Sequence, residues 1–291
     1  MKPVAVLPSL FTLCNAFCGV LAIAKGADAI LLLNQAPMPP TPELTEKFHH
    51  LFAYGCGLIF LANVFDALDG RLARMTKMTS EFGAMLDSLA DMITFGVAPA
   101  FMMKFLYEAT LKFEGKEDKP KIVLLMCFLY VACAAIRLAR FTAETEDDAD
   151  SHDFFKGLPS PAAALSVASG ILFYIYLRDD ADAPRWMAAH HAGFLTFLLG
   201  CMPLLALLMV SRVRYVHVVN RFFRGRKPYT YIVQIVLAAL VLFLVKEYAI
   251  VLLSLGYAIG CPAISLLEKL LKRPLWPKIA PPPPQDPGDA S

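Results

Sequence analysis

Eight apolar stretches, each close to the length of a bilayer crossing, alternate with short polar segments along this chain. They run near 8–33, 51–70, 83–107, 121–141, 160–177, 193–211, 230–246 and 248–267. A membrane-spanning helix needs about 20 mostly apolar residues. Lipid offers no hydrogen-bond partners, so each crossing must satisfy its backbone internally. The pattern predicts an all-α, polytopic integral membrane protein with about eight transmembrane helices. The first stretch starts with a single lysine, lacks a clean A-x-A cleavage site and is followed by more crossings, so it reads as a retained span.

The polar segments read as loops. Residues 35–48 hold four prolines, 108–120 mix Glu and Lys, and 143–153 are acidic. The pairs His49–His50 and His190–His191 precede apolar runs and read as interfacial loop residues. The segment after Trp276 includes the prolines 281–284 and reads as a disordered tail. This divides the chain into a core at 1–211, a basic loop at 212–229, two further helices at 230–268 and a tail at 269–291.

Composition supports the membrane reading. Hydrophobic residues make up 57% and charged residues 18%, against about 45–50% and about 25% in a soluble domain. The 27 basic and 25 acidic side chains give a net charge of +2, so no basic nucleic-acid footprint stands out and no nucleic acid is expected as a partner. The seven cysteines lie in or beside apolar stretches with no C-x-x-C pair. They read as small apolar helix residues and not as a disulfide framework. No His/Cys cluster has zinc-site spacing.

Charge asymmetry sets the expected orientation. Lys2, the 71–77 segment, the 137–156 segment, the 212–227 segment and the tail after 268 carry most of the Lys and Arg. By the positive-inside rule, both termini and the loops after spans two, four and six are cytoplasmic. The densest block, Arg212, Arg214, Arg221, Arg224, Arg226 and Lys227, reads either as a topology signal or as an anionic-lipid site.

Charges inside a span are costly and point to function. Asp66 and Asp69 stand three apart at the end of span two, and Gly83, Asp87 and Asp91 step by four along span three. Each set shares a helix face. A turn near 75–82 would bring the two faces together at the cytoplasmic edge. Four carboxylates at such a place need cations, and hard oxygen ligands suit Mg²⁺ or Mn²⁺. Two such ions would clamp a phosphoryl group with its attacking and leaving oxygens. Gly70, Gly83 and Ala73 leave room for a ligand or a helix backbone. Arg74 is placed to pair with a phosphate or an aspartate. Thr12 and Asn15, polar positions one turn apart in span one, either bond to neighbouring helices or line a nucleotide cavity.

Together Asp66, Asp69, Gly70, Ala73, Arg74, Gly83, Asp87 and Asp91 spell D-x2-D-G-x2-A-R-x8-G-x3-D-x3-D. That run resembles the signature of the CDP-alcohol phosphatidyltransferase family at every fixed position. The resemblance implies a six-helix membrane core that moves a phosphatidyl group from a CDP-linked lipid to an alcohol and releases CMP. It implies that Asp66, Asp69 and Asp87 bind one divalent cation, that Asp66, Asp87 and Asp91 bind a second, and that Asp91 is the general base. It places Gly70, Ala73 and Arg74 at the CDP moiety, with Gly83, Thr12 and Asn15 as further CDP-binding candidates. It also implies a homodimer, for which Gly256-x-x-x-Gly260 is one candidate contact.

Three further runs look like the serine-using, membrane-bound branch of that family: PSLFTLCNAFCG at 8–19, RLARF at 137–141 and FKGLPSPAAA at 155–164. One departure is Thr142, which stands where asparagine is expected. The implied substrates are CDP-diacylglycerol and L-serine, in a bacterial inner membrane with the site facing the cytoplasm. Arg137, Arg140 and Lys156 are then candidates to hold the serine carboxylate, a group that Arg binds well in bidentate fashion. The competing expectations are the same chemistry with glycerol 3-phosphate, inositol phosphate or choline as acceptor, and a divalent-cation transporter. Against the transporter, no matching acids recur in the later spans.

Overall fold

The computed structural model describes residues 6–35, 40–76, 81–113, 115, 120–144, 154–179, 191–211, 213–216, 254–260 and 262–264. The chain forms α1 (Val6–Asn34), α2 (Pro42–Thr76), α3 (Glu81–Asp91), a π-helical segment (Met92–Val97), α4 (Ala98–Phe113), α5 (Pro120–Glu144), α6 (Ser160–Asp179) and α7 (His191–Val210). β1 (Phe154–Lys156) and β2 (Arg214–Val216) form one antiparallel pair, with Lys156 opposite Arg214. Everything else of regular structure among the described residues is helix.

Six helices are long and apolar enough to cross a membrane: Ser9–Asn34, Pro42–Gly70, Phe82–Phe113, Lys121–Ala143, Ser160–Arg178 and Gly193–Val210. These are the first six of the eight expected crossings. The seventh, 230–246, lies outside the described residues, as do 145–153 and the tail 269–291. The eighth is described only at 254–260 and 262–264, as a shorter apolar helix.

The helices pack with small and polar residues inward. On α1, Thr12, Asn15, Cys18, Ala22, Ala29 and Leu33 are buried, while Leu10, Leu13, Phe17, Val20 and Leu31 face outward. Each set follows helical spacing. Large apolar residues are at no disadvantage against lipid, so association rests on close packing and on interhelical hydrogen bonds. α1 makes its most extensive contacts with α2. The six cysteines among the described residues, Cys14, Cys18, Cys56, Cys127, Cys133 and Cys201, are free thiols.

Two expected loops are shorter than their polarity suggested. α2 begins at Pro42, so His49 and His50 are helical and not in a loop. Proline suits the first turn of a helix, and Lys47 pairs with Glu43 one turn away at 2.7 Å. His49 is buried, with its ring edge-on to Phe48 and Tyr174. His191 likewise opens α7 instead of lying in a loop. The third span continues to Phe113 through part of the expected 108–120 loop. Its charges are satisfied along the helix or across it: Lys104 pairs with Glu108 at 2.6 Å, and Lys112 donates to Asn34 at 2.9 Å.

The end of the bundle where α1 gives way to α2 is closed. Phe48, Phe52 and Tyr174 are fully buried there. The Tyr174 hydroxyl lies 3.1 Å from Thr110 Oγ1 and accepts from Arg178 at 3.0 Å. The Arg178 guanidinium sits over the Phe113 ring, which meets Phe48 edge to face.

Candidate active site

The opposite end of the bundle gathers the acidic residues. Asp66 and Asp69 project from α2 and Asp87 from α3, and one oxygen from each lies within 4.8 Å of the others. Asp91 follows one turn beyond Asp87 on α3. Each pair lies on a single helix face, and α2 and α3 bring Asp66, Asp69 and Asp87 together.

The first span supplies two polar struts. Thr12 Oγ1 donates to Asp69 Oδ2 at 3.0 Å, and Asn15 Nδ2 donates to Asp91 Oδ1 at 3.1 Å. Both residues therefore bond to neighbouring helices, and both do so at the acidic cluster. The Asn15 backbone carbonyl accepts from Thr94 Oγ1 at 3.0 Å. Thr94 belongs to the π-helical segment that begins directly after Asp91.

That segment explains how one span serves two tasks. A π turn holds an extra residue and so rotates the helix beyond it relative to an uninterrupted α-helix. Asp87 and Asp91 face the cluster on one side of it, while Met102, Met103 and Leu106 enter the apolar core on the other. The Tyr130 hydroxyl of α5 donates to the Phe95 carbonyl at 3.1 Å, which satisfies a backbone group within the π turn. A Cβ at Gly19 would lie 2.5 Å from Thr94 Oγ1 and 2.8 Å from its Cα, so only glycine lets α1 come this close.

The donor set suits a hard divalent cation. It is all oxygen, it comes from two helices, and the buried Asp87 Oδ1 has no hydrogen-bond partner. Gly70 has open space where a side chain would sit, and Gly83 lies one turn before Asp87 on α3. Ala73 and Arg74 fall in the last turns of α2, with side chains outside the described residues.

The candidate acceptor residues separate in the structure. Arg137 is buried, donates through Nη1 to Ser160 Oγ at 2.7 Å, and keeps a buried Nε without a partner. Its electrostatic neighbours include Asp91 and Asp66. Arg140 donates to the Val210 carbonyl at 3.3 Å, a bond to the C-terminal end of α7. Lys156 lies in β1, with its side chain outside the described residues. Thr142 bonds to the Leu138 carbonyl at 3.0 Å and sits 3.2 Å from Ser88 Oγ, between the two aspartates of α3 in sequence.

Two residues at the site were not singled out from the sequence. Ser160 was within reach, since it lies in the quoted FKGLPSPAAA run and opens α6 beside proline. Thr94 sits in an apolar stretch with no charge or motif to mark it.

Comparison with known proteins agrees with this geometry. A family model described as CDP-alcohol phosphatidyltransferase matches residues 5–198. The chain is 31% identical over 218 residues to a CDP-diacylglycerol–serine O-phosphatidyltransferase of Helicobacter pylori (strain J99), covering 74% of this chain and 73% of the relative. It is 34% identical over 167 residues to the enzyme of that name from Methanocaldococcus jannaschii, covering 57% of this chain and 65% of that one. An archaetidylserine synthase of Methanothermobacter thermautotrophicus is 35% identical over 172 residues, 58% of this chain and 59% of its own length. The matched region contains the four aspartates and the helices that carry them, and the chain belongs to the CDP-alcohol phosphatidyltransferase family.

Proposed function

We propose that this protein transfers the phosphatidyl group of CDP-diacylglycerol to the hydroxyl of L-serine, giving phosphatidylserine and CMP. The observation that carries this reading is the meeting of Asp66, Asp69 and Asp87 within 4.8 Å at the bundle end that also holds the Arg137 guanidinium. The names of the matched relatives support serine as the acceptor.

Asp66, Asp69 and Asp87 would hold one divalent cation, and Asp66, Asp87 and Asp91 a second, Mg²⁺ or Mn²⁺. Bound there, the cations supply positive charge against the pyrophosphate and the departing CMP. The chain's own residues perform the remaining tasks. Thr12 and Asn15 fix two of the carboxylates, and the space at Gly70 admits the nucleotide beside Ala73, Arg74 and Gly83. Arg137, anchored on Ser160, turns its remaining N–H groups to the serine carboxylate. Arg140 and Lys156 are further candidates for that contact.

Asp91, with Oδ1 held by Asn15, accepts the serine hydroxyl proton on its second oxygen. The serine oxygen bonds to the lipid-side phosphorus as the bond from that phosphorus to the CMP oxygen breaks. The electron pair leaves with CMP, and the proton passes from Asp91 to water. Holding the acceptor and the donor side by side removes much of the entropic barrier to their encounter.

The six-helix core at 1–211 carries this site, with the loop at 212–229, the helices at 230–268 and the tail at 269–291 appended to it. We place the site and both termini on the cytoplasmic side of a bacterial inner membrane, supported by the Lys and Arg distribution. A homodimer is part of the proposal, with the Gly256-x-x-x-Gly260 run as its candidate contact.

The test is CMP release by the purified protein with CDP-diacylglycerol and Mn²⁺ or Mg²⁺. Serine, glycerol 3-phosphate, inositol phosphate and choline are supplied in parallel. Release that depends on serine supports the whole reading. Release only with another alcohol keeps the reaction class and removes serine. Metal flux without any nucleotide requirement would point instead to a cation transporter.

A further inference from the structure

α3 carries Asp87 and Asp91, and its large apolar residues do little to anchor it: Phe82, Met85 and Leu89 all point outward. Hydrogen bonds tie the helix to its neighbours instead. Asp91 accepts from Asn15 of α1 at 3.1 Å. Towards α5, Ser88 Oγ lies 3.2 Å from Thr142 Oγ1. Successive residues on a helix stand about 100° apart. Asp87 is thus turned to the acidic cluster while Ser88 is turned to α5.

The direction of the bond between the two hydroxyls follows from counting protons. A hydroxyl has one proton to give and two lone pairs to receive with. Thr142 Oγ1 gives its proton to the Leu138 carbonyl at 3.0 Å. Ser88 therefore donates and Thr142 accepts. This relay starts one residue after Asp87 and ends one residue after Arg137. It bridges the helix of the carboxylates and the helix of the buried guanidinium directly. An amide oxygen accepts a hydrogen bond as a hydroxyl oxygen does. Threonine at 142, where asparagine is expected, thus still offers Ser88 an acceptor.

We propose that Ser88 and Thr142 are positioning residues, whose hydroxyl clasp sets the spacing between α3, with the base Asp91, and α5, with the acceptor-binding Arg137. This rests on the roles given to Asp91 and Arg137 above. Reaction between two held substrates is sensitive to offsets of about 1 Å. The groups that activate the acceptor and hold it sit on different helices, so their spacing has to be fixed by a bond between those helices. Asp87 meets Asp66 and Asp69 across α2 and α3, without α5. Loss of the clasp therefore falls on the placing of the acceptor and spares the carboxylate cluster.

The experiment uses the full chain in detergent micelles with Mn²⁺, following CMP release against serine and, separately, against CDP-diacylglycerol. Thr142→Val keeps the shape and removes the accepting oxygen, leaving Ser88 free to bond within its own helix. Ser88→Ala removes the donor, and Thr142→Ser keeps the oxygen. Loss of one neutral hydrogen bond corresponds to a roughly fivefold change. Thr142→Val and Ser88→Ala should each lower kcat/KM for serine about fivefold. The KM for CDP-diacylglycerol and the rise in melting temperature on adding Mn²⁺ should match the wild type. The double variant should be no worse than either single one, because both remove the same bond. Thr142→Ser should stay within about twofold of the wild type. Unchanged kcat/KM for serine in both single variants overturns the proposal. So do additive losses in the double variant, or a loss that extends to the Mn²⁺ response and the KM for CDP-diacylglycerol. Wild-type protein that releases CMP with none of the four alcohols overturns the proposed reaction and the part of the clasp in it. Wild-type use of a different alcohol overturns serine alone, and kcat/KM for that alcohol then decides the clasp by the same comparison.

Discussion

Asp91 is gripped from one side by the Asn15 amide at 3.1 Å and stands one turn beyond Asp87 on α3. An asparagine at this position keeps the shape and can still meet Asn15, but it cannot take a proton. Asp91→Asn is therefore expected to lower CMP release about 10²- to 10⁴-fold, the usual worth of a positioned base. Its melting temperature in detergent should stay level or rise, because one like charge leaves a repelling group. A fall in both activity and melting temperature would mean the residue acts through structure. The aspartates were legible in the sequence because a carboxylate inside an apolar run is costly and its spacing is fixed by the helix. Ser160 and Thr94 were not, because hydroxyl residues in a helix are cheap to keep and acquire meaning only from what faces them. For Arg140 the sequence suggested a ligand contact, and the structure shows a bond to the Val210 carbonyl.

At the scale of elements, the informative feature is the π-helical segment Met92–Val97. Deleting Ile93 would convert it towards regular α-helix and turn Asp91 by about 100° relative to the helix beyond. The expected outcome is a protein that still inserts in the membrane but has lost CMP release. Retained activity would show that the helix can re-phase elsewhere. Gly19→Ala tests the same contact from α1, since the new Cβ would meet Thr94 Oγ1 at 2.5 Å. Overpacking of this kind costs about 1–3 kcal/mol, so both the melting temperature and the rate should fall. Gly157 is a second such point: its φ is 85°, and a Cβ there would run into the Met209 carbonyl oxygen, which leaves no place for a side chain. Helix identity and order were readable from hydropathy alone, and six crossings follow it closely. The π turn was not readable, because it is held by Tyr130, Asn15 and the closeness of Gly19, all remote in sequence. The early start of α2 was masked by four prolines that looked like a loop, of which Pro42 is the first residue of the helix.

For the molecule as a whole, cations held at the acidic cluster would make stability depend on them. Three carboxylates drawn within 4.8 Å repel one another until positive charge arrives. A ligand that binds only the folded state stabilises it by about 2.7 kcal/mol at 100 times its dissociation constant. Adding Mn²⁺ to the metal-stripped protein should raise its melting temperature, and chelation should reverse the rise and stop CMP release. The combined change of Asp66, Asp69 and Asp87 to Asn should abolish the metal-dependent rise. A rise that persists in that variant would place the cations elsewhere.

The closed end of the bundle has a consequence for the membrane itself. Phe48, Phe52, Tyr174, Arg178 and Phe113 stop the interior on the side away from the aspartates. Among the described residues, the acids close enough to share a metal ion lie at the other end. A head group joined at the aspartate end would emerge on that side of the bilayer. New lipid would accumulate in a single leaflet, and the bilayer would grow lopsided unless a separate flipping activity shared the product between its two halves.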